Sequence, residues 1–381
     1  MSSLAFAAIV LLALASPGTA EPLEGNWNSF NRGELEKLIA TLGKTSPDYD
    51  PAHPPYAVFD WDNTSVFLDV EEATLVYQLD NLAFAATPAQ LDKALRTGTP
   101  SDAEVEALLD DISQSYSWLY LRLRAGGSLA ELKGSPHLES FRAKFLLLYQ
   151  LLEEKHGAAV AYPWMPHRFA GMTDSEVRGV THQAVEWQLG QPIETVQWES
   201  HPSLPGKAGM VTVSWRNGLR LVPEMQALYQ NFRSAGFDVW VCTASFAEGI
   251  REVSSSSDFG YGHPPDQVIG LELERDDQGR YLPQRKAGSE ITFKEGKTQA
   301  IRRLLISRYG YGPAFVAGDS NGDANMMVDF PDTRLSLVMD LKLPEDSPIG
   351  QLAALARAQR GKPGARFLVQ ERDESSGQLV P

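Results

Sequence analysis

In the first half of the chain, apolar residues form one short continuous run and otherwise recur mainly at helical spacing. Residues 56–59 form a short apolar run that ends at Asp60, which predicts a buried strand. A helical spacing of leucines predicts a helix before residue 45. Helical spacing then dominates from about residue 66 to 213, with its clearest runs at residues 83–109, 116–123, 141–152 and 174–189. We therefore expect one strand followed by a long helical region.

Strands and helices alternate beyond residue 218. Apolar runs predict helices at 221–232, near 300 and at 324–328, and strands at 237–242, 314–317 and 335–339. Two further segments, 268–273 and 280–282, flank a polar turn and predict a hairpin-like pair. This alternation is typical of an α/β fold with a parallel sheet whose two faces are covered by helices.

The first predicted strand is far from the other strands in sequence. About 150 residues separate it from the helix at 221, and a connection of that length needs an apolar core of its own. We therefore predict a core of residues 21–65 and 215–381. Residues 66–214, which we call the helical insertion, would leave the sheet after its first strand as a separate domain.

The first twenty residues have the pattern of a signal peptide. An apolar run from Ala5 to Ala15 precedes small residues at Gly18 and Ala20, so Glu21 would begin the mature chain. No Lys or Arg precedes the run, and a buried N-terminal helix is the alternative interpretation. Export to the periplasm or to the medium is the prediction, and no other segment resembles a membrane span, so no membrane partner is expected after processing.

The amino-acid composition argues against some binding partners and excludes some kinds of metal site. The chain has 34 Lys and Arg against 49 Asp and Glu, a net charge of −15, which argues against a nucleic-acid partner. Its one cysteine, Cys242, excludes an internal disulfide and cysteine-based zinc or iron–sulfur sites. The oligomeric state is left open. Residues 375–381 are expected to form a loose tail.

The first candidate site is Asp60-Trp61-Asp62-Asn63-Thr64, directly after the predicted strand at 56–59. Ligands of open α/β sheets bind beyond the carboxyl ends of the strands. Carboxylates at positions i and i+2 can point into one site there, where they can hold a divalent cation or act as nucleophile and general acid. The alternative is an ordinary turn, since these residue types are common in turns.

A second candidate follows the predicted strand at 237–242. Thr243, Ala244 and Ser245 offer hydroxyls and backbone N–H groups that can hold phosphate oxygens, although the same residues can simply cap a helix. A third is Lys297, at a predicted helix start, where a cation is out of place unless it faces an anion. Lys294 competes for that role, and a surface lysine is the alternative.

The fourth candidate follows the strand at 314–317. It begins at Gly318 and contains Asp319 and Asp323, with a second glycine at Gly322. Glycines permit close approach of the backbone to a ligand, and two acids four residues apart can bind a hard cation through oxygen. A polar loop without a ligand is the alternative.

These four motifs, in this order after strands, resemble the haloacid dehalogenase-like phosphatase superfamily. A closer resemblance, to the exported phosphorylcholine phosphatase and phosphoserine phosphatase-like branch, rests on segments at 60–65, 69–72, 171–173 and 221–225. The resemblance implies a Rossmann-like parallel sheet core with a large, mainly helical cap domain inserted after the first core strand.

The resemblance also implies a mechanism for hydrolysis of a small phosphorylated metabolite. Asp60 would attack phosphorus and form an aspartyl-phosphate, and Asp62 would protonate the leaving oxygen and then activate water. Magnesium (Mg²⁺) would bind the carboxylate of Asp60, the backbone carbonyl of Asp62 and Asp319, with Asp323 as a direct or indirect support. The phosphoryl oxygens would be held by the residues Thr243, Ala244 and Lys297.

The helical insertion would select the substrate. The branch includes enzymes for quaternary-ammonium phosphates, and such cations prefer aromatic residues with a nearby acid. The candidates are Trp61, Glu71, Glu72 and Trp164, and further aromatic candidates are Tyr116, Trp118, Tyr120, Tyr162 and Trp187. Packing in a core is the alternative for the aromatic residues. For the function as a whole, the alternatives are a phosphotransferase of the same fold and an exported binding protein without turnover.

Overall fold

The computed structural model describes residues 22–381, and the predicted signal peptide lies outside the described residues. The strands, in chain order, are β1 (Tyr56–Phe59), β2 (Val66–Phe67), β3 (Glu194–Glu199), β4 (Thr212–Asn217), β5 (Arg220–Leu221), β6 (Asp238–Phe246), β7 (Val268–Leu271), β8 (Leu273–Arg275), β9 (Tyr281–Arg285), β10 (Phe315–Gly318), β11 (Leu335–Met339) and β12 (Phe367–Gln370). Six of them form one parallel sheet in the order β12-β11-β10-β1-β6-β7.

The α-helices, in chain order, are α1 (Ser29–Leu42), α2 (Val70–Asn81), α3 (Pro88–Arg96), α4 (Ala103–Arg124), α5 (Leu129–Leu132), α6 (Pro136–His156), α7 (Ala158–Trp164), α8 (Asp174–Leu189), α9 (Pro223–Ser234), α10 (Ala247–Ser255), α11 (Glu295–Ile301), α12 (Ser307–Tyr309), α13 (Ala324–Val328) and α14 (Pro348–Gln359). Short 3₁₀ turns occupy Met165–Phe169, Ser257–Phe259 and Pro265–Gln267, and a π turn occupies Arg302–Ile306. None of the helices described is long and apolar enough to cross a membrane.

The parallel sheet is buried on both faces. Alternate residues of β1 point to opposite sides, so Ala57 and Phe59 join one apolar cluster, and Tyr56 and Val58 join another. Helices cover each cluster, which explains why β1, β10, β11 and β12 are buried along their whole length. The predicted α/β class with a parallel sheet is confirmed.

The helical insertion leaves the sheet between β1 and β6, as predicted. Helices α2 to α7 contribute to an apolar cluster of their own, which includes Leu108 and Leu109 of α4 and Phe141 and Phe145 of α6, and α8 packs against it through Trp187. Asp102 caps α4 by accepting hydrogen bonds from the N–H groups of two residues in its first turn. The mainly helical cap inserted after the first core strand is therefore confirmed as part of the fold class.

The prediction that helical structure continues to residue 213 is wrong. Residues 194–217 contain an antiparallel hairpin of β3 and β4, because alternate residues of both strands face the insertion's core, including Trp198, Val213 and Trp215. The run at 83–109 is also not one helix, since the segment around Gly98 and Pro100 separates α3 from α4. The segment at 268–273 is not one strand of a hairpin. Its first residues form β7, which pairs with β6 in the parallel sheet, and the hairpin consists of β8 and β9.

The C-terminal residues are not a loose tail. Arg372 and Leu379 form a β-bridge, and the Leu379 side chain is buried. Gly377, with φ of 75°, packs against the ring of Phe67. The sequence prediction also missed β12, which extends the sheet beside β11, and α14, whose apolar residues pack against one face of the sheet.

A buried ion pair inside the helical insertion gives a stability prediction. Lys144 Nζ donates to Asp111 Oδ2 at 2.7 Å and to the Pro205 carbonyl at 2.7 Å, and both charged side chains are buried. We expect Lys144→Met to lower the free energy of unfolding by about 3–5 kcal/mol, because Asp111 loses its cation in a buried position. Urea unfolding followed by tryptophan fluorescence measures this loss.

The matched control is Lys133→Met, which breaks an ion pair to Asp80 in which the lysine is exposed. Its effect is expected to stay within about 1 kcal/mol. Equal losses in the two variants would contradict the prediction.

Candidate active site

Three neighbouring strands of the sheet end at one cavity. Parallel strands bring their carboxyl ends to the same edge, so Asp60 after β1, Thr243 in β6 and Asp319 after β10 lie close together. The cavity has a volume of about 470 Å³. The predicted residues that line it are Asp60, Asp62, Glu71, Glu72, Thr243, Ala244, Lys297 and Asp319.

Lys297 lies between two carboxylates beneath this cavity. Its Nζ is 2.7 Å from Asp60 Oδ1 and 2.6 Å from Asp323 Oδ1, and the residue is 1% exposed. Burial lowers the pKa of Lys297, but the charges of Asp323 and Asp60 outweigh it and raise that pKa above its ordinary value. Lys294 does not line the cavity, so the geometry selects Lys297 of the two lysines as the one that contacts the carboxylates.

Asp60 is the carboxylate nearest the end of β1. Burial and then the charge of Asp323 raise the pKa of Asp60 to about 7, although the Lys297 ammonium lowers it. A nucleophilic carboxylate must be ionised, and Lys297 is the cation that favours the ionised form.

Asp62 is held by two hydrogen bonds. Its Oδ1 accepts the Val70 N–H at 2.7 Å, and its Oδ2 accepts the Ser245 hydroxyl at 2.6 Å. Burial first, and then the charge of Asp69, raise the pKa of Asp62 well above its usual range, although the Ser245 hydrogen bond lowers it. A carboxyl that retains a proton more readily than an exposed one is suited to act as a general acid.

Three buried carboxylates could hold a metal ion. Asp60, Asp319 and Asp323 each offer one oxygen, and these atoms lie within 4.8 Å of one another. The Thr64 hydroxyl donates to Asp319 Oδ1 at 2.6 Å. Burial, followed by the charges of Asp323 and Asp60, raises the pKa of Asp319 well above its usual range. Three carboxylates with one lysine leave an excess of two negative charges, so this oxygen-rich set fits a hard divalent cation such as Mg²⁺.

Asp323 also organises the loop that carries Asp319. Its Oδ1 accepts from Lys297, and its Oδ2 accepts the N–H groups of Asp319 and Ser320 together with the Ser320 hydroxyl. The carboxyl of Asp62 is engaged elsewhere and does not belong to the three-carboxylate group. Its predicted metal ligand, the backbone carbonyl, stays a prediction.

A bulge shapes the part of the site contributed by β6. The pairing of β6 with β7 shifts register between Cys242 and Phe246, which moves Thr243, Ala244 and Ser245 out of regular pairing. The Ser245 N–H then donates to Thr243 Oγ1 at 3.1 Å. Gly270 of β7 accommodates the bulge, because a Cβ there would come within 2.8 Å of the Ser245 carbonyl oxygen.

The two predicted substrate acids lie in the cavity but in different settings. Glu71 accepts from Arg168 at 3.0 Å and from the Phe246 N–H at 3.0 Å. The Glu72 carboxylate has no hydrogen-bond or ion-pair partner within residues 22–381. Burial, and after it the charges of Asp69 and Glu153, raise the pKa of Glu72 to about 8.

The structure places Trp61 and Trp164, which the sequence analysis predicts as substrate contacts, in packed interiors. Trp61 is 0% exposed and packs against Tyr229 and Tyr261 below the site, because a residue between two inward-facing acids points to the opposite side of the chain. Trp164 is 3% exposed, and its Nε1 donates to the Leu95 carbonyl. Neither residue lines the cavity.

Of the other aromatic candidates, Tyr162 lines the cavity, and Tyr116, Trp118, Tyr120 and Trp187 do not. Ser245, which the sequence offered together with Thr243, also lines the cavity, whereas sequence reasoning missed the lining residues Tyr149, Glu153, Met165 and Phe293. Tyr149 and Glu153 lie at i and i+4 on α6, so a helical wheel would have placed them on one face. That wheel does not tell a cavity-facing side chain from a core side chain.

Comparisons with known proteins agree with this geometry. The family model for haloacid dehalogenase-like hydrolases matches residues 145–328. Phosphorylcholine phosphatase from Pseudomonas aeruginosa is 26% identical over 316 residues, which cover 81% of this chain and 72% of that protein. A solved structure of a functionally unknown protein from Anaerococcus prevotii aligns with a TM-score of 0.85 and 29% identity, over 94% of this chain and 96% of that one.

A more distant solved structure, of a phosphoserine phosphohydrolase-like protein from Francisella tularensis, aligns with a TM-score of 0.35 and 12% identity over 78% of this chain and 93% of that one. That similarity is too low to carry an argument. The fold, the site and the family match together define a hydrolase with a haloacid dehalogenase-like domain. Residues 145–328 of this chain match the haloacid dehalogenase-like hydrolase model, and the similarity to phosphorylcholine phosphatase supports phosphatase activity.

The three buried carboxylates of Asp60, Asp319 and Asp323 lead to a prediction for metal binding. We expect Mg²⁺ to raise the thermal unfolding midpoint of the full chain, since binding at 100 times the dissociation constant stabilises a protein by about 2.7 kcal/mol. Asp319→Asn should abolish most of this rise, because it removes one carboxylate of the buried group. A Mg²⁺ titration by calorimetry or thermal shift measures both effects.

Asp329→Asn serves as the control. Asp329 accepts a hydrogen bond from Thr298 and does not line the cavity, so its variant should keep the Mg²⁺-dependent rise. An unchanged rise in Asp319→Asn would contradict the assignment of this carboxylate as a ligand.

Proposed function

We propose that the protein is a Mg²⁺-dependent phosphomonoesterase that works through an aspartyl-phosphate on Asp60. The observation that carries the proposal is the buried contact of Lys297 with both Asp60 and Asp323, beside Asp319, at the carboxyl ends of three parallel strands. This arrangement combines a nucleophile, a fixed cation and a set of metal-binding oxygens in one cavity.

In the first step, Asp60 attacks phosphorus and the bond between phosphorus and the leaving oxygen breaks. Asp62 gives its proton to that oxygen, so the alcohol leaves neutral. The Thr243 hydroxyl, the Ala244 N–H and the Lys297 ammonium hold the phosphoryl oxygens, all three residues being at the cavity wall. A Mg²⁺ ion held by Asp60, Asp319 and Asp323 would supply positive charge against repulsion between carboxylate and phosphate.

In the second step, water attacks the phosphorus of the aspartyl-phosphate. Asp62, now ionised, takes the proton from this water, and the bond between phosphorus and Asp60 breaks. Inorganic phosphate leaves, Asp60 is again a carboxylate and Asp62 is again protonated. Because Asp62 loses one proton to the alcohol in the first step and gains another from water in the second, the cycle needs no other general acid or base.

The helical insertion favours a substrate whose alcohol carries a positive charge. The helical insertion lines the cavity with Glu72, Glu153, Tyr149 and Tyr162, and the ring of Phe293 from the core packs edge-on against Tyr162. Burial followed by the charges of Asp69 and Glu153 raises the pKa of Glu72 to about 8, and among residues 22–381 no cation contacts its carboxylate. A quaternary ammonium group would supply that charge and contact the rings, and phosphocholine is the proposed substrate type.

We also propose that the protein is exported, to the periplasm or to the medium. The support is the sequence pattern of residues 1–20 described above. N-terminal sequencing of the protein recovered from cell fractions and medium tests this proposal. A chain that retains Met1 and stays in the cytoplasm would reject it.

Asp60→Asn tests the nucleophile. We expect phosphate release from 4-nitrophenyl phosphate to fall by about 1,000-fold or more, the loss of about 4 kcal/mol of transition-state stabilisation. The wild-type chain should lose activity in EDTA and regain it with Mg²⁺. Rapid acid quenching followed by mass spectrometry should detect phosphate on Asp60 in the wild type.

Asp329→Asn is again the control and should keep its activity. Unchanged phosphate release in Asp60→Asn would rule out the proposed nucleophile. If added alcohols capture most of the phosphoryl group, the enzyme is a phosphotransferase. If the wild type binds phosphate esters without releasing phosphate under any metal condition, it is a binding protein.

Glu72→Gln tests the substrate type. The two substrates are phosphocholine and 3,3-dimethylbutyl phosphate, which has the same shape without the positive charge. We expect the ratio of their kcat/KM values to fall by about 10-fold in Glu72→Gln, since about 1.4 kcal/mol of charge attraction is lost. Glu154→Gln, at an exposed position next to Glu153, should leave the ratio unchanged. A wild-type ratio near one would reject the cationic substrate.

A further inference from the structure

The carboxyl of Asp62 is held jointly by the sheet core and the helical insertion. Ser245, near the end of β6, donates its hydroxyl to Oδ2 at 2.6 Å. Val70, the first residue of α2, donates its N–H to Oδ1 at 2.7 Å. Ser245, Asp62 and Val70 are all buried, so water does not compete easily for these bonds.

The position of Ser245 follows from the bulge in β6. The register shift between Cys242 and Phe246 removes Ser245 from regular pairing, and its N–H turns back to the Thr243 hydroxyl at 3.1 Å. The side chain of Ser245 can therefore reach Asp62, which follows the adjacent strand β1. Bulges re-aim side chains next to active sites in this way.

A second connection joins the same two parts of the molecule. Glu71, the residue after Val70, accepts the Phe246 N–H at 3.0 Å, and Phe246 directly follows Ser245. Arg168 of the helical insertion, 1% exposed, donates to the other oxygen of Glu71 at 3.0 Å. The start of α2 is therefore joined to the end of β6 by two connections, one through Asp62 and one through Glu71.

We propose that Ser245 is a positioning residue that holds the carboxyl of Asp62 where it can protonate the leaving oxygen, with the start of α2 as the second support. This inference rests on the proposed function, in which Asp62 is the general acid. The rival role for Ser245 is a direct ligand of the phosphoryl group, since Ser245 also lines the cavity.

The two roles differ in their dependence on the leaving group. A weakly basic leaving group such as 4-nitrophenolate departs without much help from an acid, whereas an alkoxide needs its proton as the bond breaks. A misplaced Asp62 should therefore impair alkyl phosphates most. A lost phosphoryl ligand should impair all phosphate esters by a similar factor, because every ester carries the same phosphoryl group.

The experiment compares Ser245→Ala with the wild-type chain on 4-nitrophenyl phosphate and benzyl phosphate. The readout is kcat/KM, because it covers the steps up to departure of the alcohol. We expect kcat/KM for benzyl phosphate to fall at least about 10-fold more than that for 4-nitrophenyl phosphate, since the Asp62 carboxyl loses the buried hydrogen bond that holds it in place. The inhibition constant of inorganic phosphate should change little.

Two further serine variants complete the series. Ser245→Thr keeps the hydroxyl and should restore most of the activity toward benzyl phosphate. Ser254→Ala removes a buried serine hydroxyl on α10 that bonds the Arg251 carbonyl outside the cavity, and it should behave like the wild type. If Ser245→Ala does not fold, Ser245→Cys keeps the volume with a weaker donor and should shift the ratio in the same direction.

Asp62→Asn separates failure of the inference from failure of the proposed function. It should impair benzyl phosphate far more than 4-nitrophenyl phosphate, and equal losses on both substrates would reject Asp62 as the general acid. If Asp62→Asn is selective but Ser245→Ala impairs both esters equally and weakens phosphate inhibition, Ser245 is a phosphoryl ligand and the positioning role is overturned. Wild-type behaviour of Ser245→Ala would also overturn it.

Discussion

The contact of Lys297 with Asp60 and Asp323 is the constraint on which the rest of the site depends. Removing a carboxylate from water is unfavourable unless a cation or several donors replace the water. Lys297 is the one cation within contact of this buried group in the described chain, and it bonds to two of the three carboxylates. The remaining negative charge is of the sign and size that a bound divalent ion would neutralise.

The position of Lys297 depends in turn on a tightly packed loop. Lys294 has a positive φ of 53°, and its N–H donates to the Gly322 carbonyl in the loop that follows Asp319. A Cβ on Gly296 would lie 1.7 Å from the Ile291 carbonyl oxygen. These close contacts join the segment that carries Lys297 to the loop that carries the metal-binding acids, so the cation and the carboxylates it neutralises are positioned together.

Sequence reasoning anticipated the sheet edge of the site better than the helical side. Asp60, Thr243 and Asp319 each follow or end a short apolar run, and parallel strands necessarily bring such positions to one edge. No comparable rule exists for the helical insertion. Tyr162 lines the cavity and Trp164, two residues later, is buried against Leu95, yet both are aromatic residues in the same short helix. Whether each ring faces the cavity or the core depends on how α7 packs against its neighbours. The spacing of apolar residues in the sequence does not contain that information.

The same limit explains the fold predictions that were wrong. The hairpin of β3 and β4 packs its alternate residues on helices of the insertion, so its strand character is fixed by tertiary packing within a helical stretch. Leu379 is buried because the last residues pair back on Arg372, a contact that a polar segment rich in serine and glycine does not suggest. Local patterns predicted elements with their own strong periodicity, and failed where a neighbour decided the outcome.

The negative charge of the cavity also bears on which substrates it can accept. A phosphate monoester approaches a chain with a net charge of −15 and a site with an excess of carboxylates, so its entry is unfavourable unless its charge is balanced. Lys297 and the proposed metal ion balance the phosphoryl end. A cation on the alcohol would reduce the net charge of the substrate and meet Glu72 at the other end. With the proposed function, an acidic cavity would disfavour simple anionic esters relative to zwitterionic ones, and the acids of the helical insertion would then take part in substrate choice as well as in substrate binding.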